Sequence, residues 1–365
     1  IKKYSNAVRN CLKCCIVYHE KFCQYDLGPD HPFRGSRFAD SRRFLRERGL
    51  DESPDVVFIE PQMATWEDLV RAHDRGYVDL ILHLAQIRKP YDPDTPVSAS
   101  ILEALIYIVG GAIKAGTSIC KGEIGKAVNL GGGFHHAGKT YGGGFCIFND
   151  VAILTEHLRQ EYGLRRILIL DYDVHFGNGT SDIFYSDPGV LYISLHQDPR
   201  TIFPGTGFIE EVGSGEGEGY NVNVPLPPTT GEATYLFALR EILVPLAEEF
   251  EPDLIIANGG SDAHFADSLG RLGLTVNGFF EISRTIREVS ERTCGGNAVL
   301  LLGSGYNPTV LPYCWYALVM GFLGKENLDV QDPYSFPPDP WENREKVEDV
   351  LKELKRILGK YWKCF

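Results

Sequence analysis

Asp171, Asp173 and His175 alternate by two in the run DYDVHFGNG. Extended backbone through that run projects all three side chains to one side. A carboxylate and an imidazole so placed can hold one divalent ion, and a third ligand must come from elsewhere in the chain. Asp262, in NGGSDAHFAD, is the natural candidate. Asp173, His175 and Asp262 would make an open site with three protein ligands, leaving room for water and a substrate oxygen. Alone, the DxDxH pattern reads equally well as a capping carboxylate with a hydrogen-bonded His. The Gly-rich setting of Asp262 favours the metal.

His135 and His136 are adjacent in GGGFHHAGKTYGGGF. Two neighbouring histidines in a glycine loop are expensive as mere packing. If a metal activates water, one imidazole can take the proton while the other stabilises charge or donates to the leaving group. A role as metal ligands is the alternative. Each ring needs an orienting acceptor on its far nitrogen. Asp171, surplus in a three-ligand count, can serve one ring and Asn178 the other. Tyr306, in LGSGYNP, can polarise a substrate carbonyl and stabilise an oxyanion opposite the metal. By itself GSGY would read as a core Tyr in a turn.

These residues need a scaffold. Short apolar runs read as strands at Cys15–Tyr18, Val56–Ile59, Ala127–Leu130, Ile167–Asp171, Val190–Leu195, Leu254–Asn258 and Ala298–Leu302. Helical patterns cover Asn149–Tyr162, Glu232–Phe250, Gly278–Glu291, Pro308–Leu323 and Trp341–Trp362. Alternating strands and helices predict a parallel sheet covered on both faces. Ligands of such sheets bind beyond the carboxyl ends of strands. Four of the strand ends deliver the four runs above, which points to one assembled site.

The 365 residues carry 36 basic and 49 acidic side chains, a formal charge of −13, which disfavours a grip on nucleic-acid phosphates. No run of about 18 uncharged apolar residues suggests a membrane span. The N-terminal IKKYSNAVRN lacks an apolar signal core, so a cytoplasmic location is expected. The missing initiator Met suggests a start inside a longer reading frame. Nine cysteines in such a chain read as reduced thiols. Cys11, Cys14, Cys15 and Cys23 cluster around His19, but a second CxxC is missing, so a Cys-rich first strand is expected rather than a structural metal site. The Gly213–Tyr220 run lacks the Lys-Ser/Thr of a phosphate loop and carries two glutamates. One catalytic domain is expected over 15–325. Residues 326–365 would be a C-terminal loop and helix packed on it.

The chain resembles the zinc-dependent histone deacetylase family, which includes acetoin-utilisation proteins and acetylpolyamine amidohydrolases. The motifs that carry the resemblance are GGGFHHA, GGGFCIFND, DYDVHFGNGT, SLHQDPRTIFPGTG, GYNVNVPLP, SDAHFADSLG and GSGYNP. It implies a single arginase/deacetylase-like α/β domain with an eight-stranded parallel sheet and helices on both faces. It implies Zn²⁺ on Asp173, His175 and Asp262, with Fe²⁺ compatible with the same donors. His136 would be the general base and His135, oriented by Asp171, its electrostatic partner and candidate proton donor. Asn178 stands behind His136 where some members have Asp, and Tyr306 matches the catalytic Tyr.

The resemblance also implies that Phe145 and Phe203 sandwich an acyl-lysine stem beside Gly144. Leu269 falls at the rim position that tunes substrate choice, and Asp94 at the rim carboxylate that grips substrate backbone. A structural K⁺ or Na⁺ would use the side chains of Asp171 and Ser194 with backbone oxygens of Asp173, His175 and Leu195. A second would use backbone oxygens of Phe184, Asp187, Val190 and Tyr220. His31, Pro32 and Arg37 resemble residues near the pocket foot, where Arg37 would handle acetate or form a salt bridge. His196 and His264 match no ligand position and read as packing residues or as supports behind the ligands. The implied activity is hydrolysis of acetyl-lysine, with an acetylated protein or peptide as partner. An acetylpolyamine or other small acetylated amine is the alternative, favoured by the acidic Asp92 and Asp94 but not by apolar Leu269. Two-manganese ureohydrolysis would need bridging carboxylates that Ala263 and His264 do not supply. A silent acyl-lysine-binding protein would require a broken constellation, and none of its members is missing.

Overall fold

A computed structural model describes residues 13–335 and 342–365. Eight strands form one sheet: β1 Cys14–Val17, β2 Val56–Ile59, β3 Lys126–Asn129, β4 Ile167–Asp171, β5 Val190–Gln197, β6 Asn221–Leu226, β7 Leu254–Gly260 and β8 Ala298–Ser304. The spatial order is β2-β1-β3-β8-β7-β4-β5-β6, and every pairing is parallel. The central strands are buried along their whole length, as their near-continuous Val, Ile and Leu content requires.

Among the described residues ten α-helices accompany them: α1 Ser36–Glu47, α2 Trp66–Leu69, α3 Arg75–Ile87, α4 Ala99–Cys120, α5 Asp150–Tyr162, α6 Asn178–Phe184, α7 Glu232–Phe250, α8 Val276–Thr293, α9 Leu311–Leu323 and α10 Arg344–Leu358. One layer packs α1, α9, α8 and α7 in succession, and the other packs α2 to α6. Local chemistry sets several boundaries. Ser98 caps α4 by accepting from Ile101 N, and Asn149 caps α5 by accepting from Ala152 N. Gly163 ends α5 in the left-handed region at φ 68°.

Strand β6 lies outside the seven runs read from residues alone. Its Asn221 and Asn223 alternate with valines, and Pro225 interrupts it, which an edge strand tolerates. Helices α1, α3 and α4 were likewise not read from the pattern. Helix α4 is long and apolar enough to cross a membrane by length and composition, but twelve of its 22 residues are buried against the sheet and neighbouring helices. The C-terminal helix starts at Arg344 rather than Trp341, which lies outside the described residues.

The described members of the cysteine cluster do not gather. Cys14 and Cys15 are neighbours on β1 and so face opposite sides of the sheet, while Cys23 Sγ sits 3.7 Å from the Tyr18 hydroxyl. His19 stacks on Tyr107, and Cys11 lies outside the described residues.

Candidate active site

The sheet order explains how the site assembles. Strands β3, β8, β7 and β4 are consecutive neighbours, and their carboxyl ends share one edge. The histidine pair follows β3, Tyr306 follows β8, Asp262 follows β7, and Asp173 and His175 follow β4. The end of β8 and the loop after β3 pass so closely that a Cβ on Gly303 would stand 1.7 Å from the Gly132 carbonyl oxygen.

Asp173, His175 and Asp262 are buried, and one donor atom from each lies within 4.8 Å of the others. His175 Nδ1 is 3.0 Å from Asp173 Oδ1 and 3.5 Å from Asp262 Oδ2. Asp262 Oδ1 accepts from Val174 N at 3.2 Å, but its buried Oδ2 has no hydrogen-bond partner. Burial and the nearby Asp173 charge raise the Asp262 carboxyl to about 7. Two buried carboxylates and an imidazole, with one acceptor orphaned between them, fit a divalent cation.

Asp171 is engaged differently. Its Oδ2 accepts from His135 Nδ1 at 2.8 Å and from the Tyr192 hydroxyl at 2.9 Å. Its Oδ1 accepts from Asn258 Nδ2 at 3.1 Å and Asp173 N at 3.3 Å. Four donors saturate it as an orienting group rather than as a third carboxylate of the metal set. His136 Nδ1 donates to Asn178 Oδ1 at 2.8 Å.

The two imidazoles, with centroids 4.1 Å apart, are tuned in opposite directions. Burial pulls the His135 pKa down, yet the Asp171 and Asp173 charges outweigh it and lift it to about 9. Burial, joined by the charges of His135 and His175, holds His136 well below its ordinary value. The surroundings thus favour the protonated form of His135 and the neutral form of His136.

Above them the walls are aromatic. The Phe203 ring stands edge-on to His136 at 4.9 Å and is 52% exposed, which marks the mouth. Phe145 lies 5.9 Å from the Tyr306 ring, and Tyr25 pins its carbonyl with a 2.6 Å hydrogen bond. Gly144, at φ 55°, lies between the walls; a Cβ there would be 2.6 Å from His136 and 2.9 Å from Phe203. Tyr306 N donates to Asp267 Oδ2 at 2.7 Å, and Leu269 N to Asp267 Oδ1 at 3.0 Å, so one carboxylate sets both positions. Asp94 is exposed, on a loop whose Asp92 approaches Gly143.

A family model for the histone deacetylase domain matches residues 31–322. The chain belongs to the histone deacetylase family. It is 37% identical to a probable deacetylase of Archaeoglobus fulgidus over 96% of this chain and 99% of that protein. It is 33% identical to the acetoin utilization protein AcuC of Bacillus subtilis, over 89% of this chain and 84% of that one. The crystal structure of the HDA15 HD domain superposes with a TM-score of 0.84 at 27% identity, covering 97% and 96% of the two chains. The single α/β domain with its all-parallel eight-stranded sheet is thus the histone deacetylase fold, and membership makes this chain a deacetylase.

Several residues of this deacetylase sit apart from the metal group. Ser194 Oγ meets His196 Nδ1 at 2.8 Å, one strand over from Asp171. The carbonyls of Phe184, Asp187 and Tyr220 accept from Asp187 N, Val190 N and Tyr192 N, which gathers the second group of cation positions where β5 and β6 begin. Arg37 is buried, and its guanidinium donates to the Gly303, Pro32 and Arg34 carbonyls, so its partners are backbone oxygens rather than a carboxylate. It lies 5.3 Å from the Tyr306 ring beside a cavity of about 50 Å³. His31 packs edge-on against Phe145 on the wall. His196 donates to Gly207 O, and His264 pairs with Asp332, both as packing groups.

Sequence reasoning missed four groups that support the site. Tyr192 and Asn258 hold Asp171, and Asp267 holds the Tyr306 loop. Asp150 accepts from Gly133 N and Phe134 N and so fixes the glycine loop before the histidines. Asp150 and Asp267 lie inside FND and HFAD of the motifs, a signal that was there to be used.

Proposed function

We propose that this deacetylase is a zinc-dependent amidohydrolase that cleaves the amide of acetyl-lysine to free lysine and acetate. The observation that carries this reading is the buried Asp173–His175–Asp262 group lying beside His135 and His136, each held by its own acceptor, Asp171 and Asn178. When bound there, the ion would polarise a carbonyl oxygen and acidify water. Zn²⁺ is the favoured occupant, and Fe²⁺ suits the same donors.

The chain's own residues do the rest. Phe145 and Phe203 grip the apolar stem of the acyl-lysine, and Gly144 keeps the passage open. Tyr306 donates its hydroxyl to the carbonyl oxygen as negative charge develops on it. His136 Nε2 takes the proton from the attacking water while Asn178 holds its Nδ1–H. His135, kept charged by Asp171, stabilises that negative charge and protonates the departing amine. Arg37 guides acetate at the foot of the site. K⁺ or Na⁺ at the two groups around Asp171/Ser194 and Phe184/Tyr220 would be structural. Residues 15–325 would form the catalytic domain, with the C-terminal helix α10 packed against it.

Apolar Leu269 supports acyl-lysine over a polycation. Exposed Asp94 beside Asp92 supports the second reading, an acetylpolyamine substrate. The deciding experiment compares kcat/KM of the zinc-loaded protein on an acetyl-lysine peptide and on an acetylpolyamine. A peptide preference above about tenfold, or about 1.4 kcal/mol, upholds the first reading. A polyamine preference of that size replaces it with the second. No turnover of either, with zinc bound, refutes the hydrolase assignment for both.

A further inference from the structure

Asn178 gives this site a problem of direction. A carboxylate behind His136 would accept the Nδ1–H with either oxygen. An amide accepts with one end and donates with the other, and flipping it would force His136 into the wrong tautomer. Something must hold the amide with its oxygen toward His136.

Asn178 opens helix α6, and Asp182 lies four residues on, so both occupy one face of that helix. Tyr141, from the loop after the histidines, bridges them. Its hydroxyl bonds to Asp182 Oδ2, and Asn178 Nδ2 lies 3.2 Å from the same phenolic oxygen. The ring is tightly seated: Gly138 N donates to Tyr141 O at 2.9 Å, and a Cβ on Gly138 would stand 2.3 Å from the ring.

The donors and acceptors admit one order. The exposed Asp182 carboxylate has only acceptors, so it takes the phenolic proton. The phenol oxygen is then free to accept, and it takes an N–H from the Asn178 amide. The amide oxygen is left pointing at His136 Nδ1, which must carry a hydrogen. His136 Nε2 is therefore the open acceptor on the substrate side. We infer that Tyr141 and Asp182 are positioning residues that lock the Asn178 amide and, through it, the tautomer of the base His136. The inference rests on the reading of His136 as the base.

The test is a cycle of Tyr141→Phe and Asn178→Asp, assayed on whichever acetylated substrate is turned over. Tyr141→Phe removes the acceptor that holds the amide. The expected result is a fall in kcat of about tenfold with little change in KM, a fraction of the 10²–10⁴-fold that general-base catalysis supplies. In the Asn178→Asp background the same change should cost less than about twofold, because a carboxylate has no wrong way round. Asp182→Asn, which still accepts the phenolic proton, should retain the parent kcat better than Asp182→Ala. Nitrogen-15 NMR of the His136 ring gives a readout apart from turnover: one Nδ1–H tautomer in the parent and a tautomer mixture in Tyr141→Phe. An equal loss from Tyr141→Phe in both backgrounds, or an unchanged tautomer, overturns the lock. A His136→Ala variant with near-parent activity would instead remove the base reading, which separates the two failures.

Discussion

Tyr306 and Asp262 carry the sharpest expectations at the level of single side chains. Tyr306→Phe leaves the ring in its aromatic setting and deletes only the hydroxyl, so kcat should fall on the order of 10²–10³ with KM nearly unchanged. Single-substrate kinetics check this, and a near-parent kcat would exclude the oxyanion role. Asp262→Ala removes the orphaned acceptor beside His175, so metal content per chain after dialysis against zinc should drop well below one. Elemental analysis measures it. These residues were legible because metal and proton chemistry demand particular residue types, and those types stood in glycine-rich runs. Tyr192, Asn258 and Tyr141 were not legible, because an ordinary Tyr or Asn acquires its role only from the partner that folding brings to it.

The end of β8 and the loop after β3 show the same contrast at the level of elements. In the sequence Gly303 is one glycine of the run LGSGYNP; in the fold it lies near the end of β8 against the Gly132 carbonyl of the loop after β3. Gly303→Ala should therefore push strand end and loop apart, costing about 2 kcal/mol or more of stability and a larger share of activity. Thermal unfolding alongside an activity assay tests it; an unchanged Tm would mean the two yield freely. Strands with continuous apolar runs were readable, since burial on both faces leaves little choice of residue. Strand β6 was not, because an edge position accepts Asn and Pro. Helix α1 mixes Arg37 and Ser41 into its buried stripe. Helix α4 is so apolar that its pattern blurs into that of a buried strand or a membrane segment.

At the scale of the whole molecule, two buried histidines away from the metal group each withdraw stability in mild acid, against the opposite pull of the raised Asp262 and Asp150 carboxyls. His73 is buried, donates from Nδ1 to the Gly138 carbonyl, and accepts the Asn149 N–H at Nε2 at 2.8 Å. His196 is buried between Ser194 and Gly207. Burial lowers both to about 4. The unfolded chain protonates them near 6.5 and the native chain only near 4. Between those values the unfolded state binds more protons at these two sites, so their contribution to stability falls as pH drops from about 6.5 to about 4. Each histidine accounts for a loss on the order of 3 kcal/mol across that window. Urea titrations at several pH values should show the decline, and His73→Gln, which keeps a donor and an acceptor, should flatten it. Parallel slopes in the two proteins would contradict this assignment.

Sheet order also sets when the enzyme becomes an enzyme. The last strand made, β8, lies between β3 and β7, flanked by β2-β1-β3 on one side and β7-β4-β5-β6 on the other. His135 and His136 belong to the first block, and Asp173, His175 and Asp262 to the second. Until β8 inserts as the keystone, the base and the metal group ride on separate halves, and Tyr306 does not yet exist on the growing chain. A nascent or truncated polypeptide ending before Ala298 thus holds every proposed metal ligand but neither Tyr306 nor the strand that joins the two blocks. Topology alone postpones assembly of the site until β8 has been made.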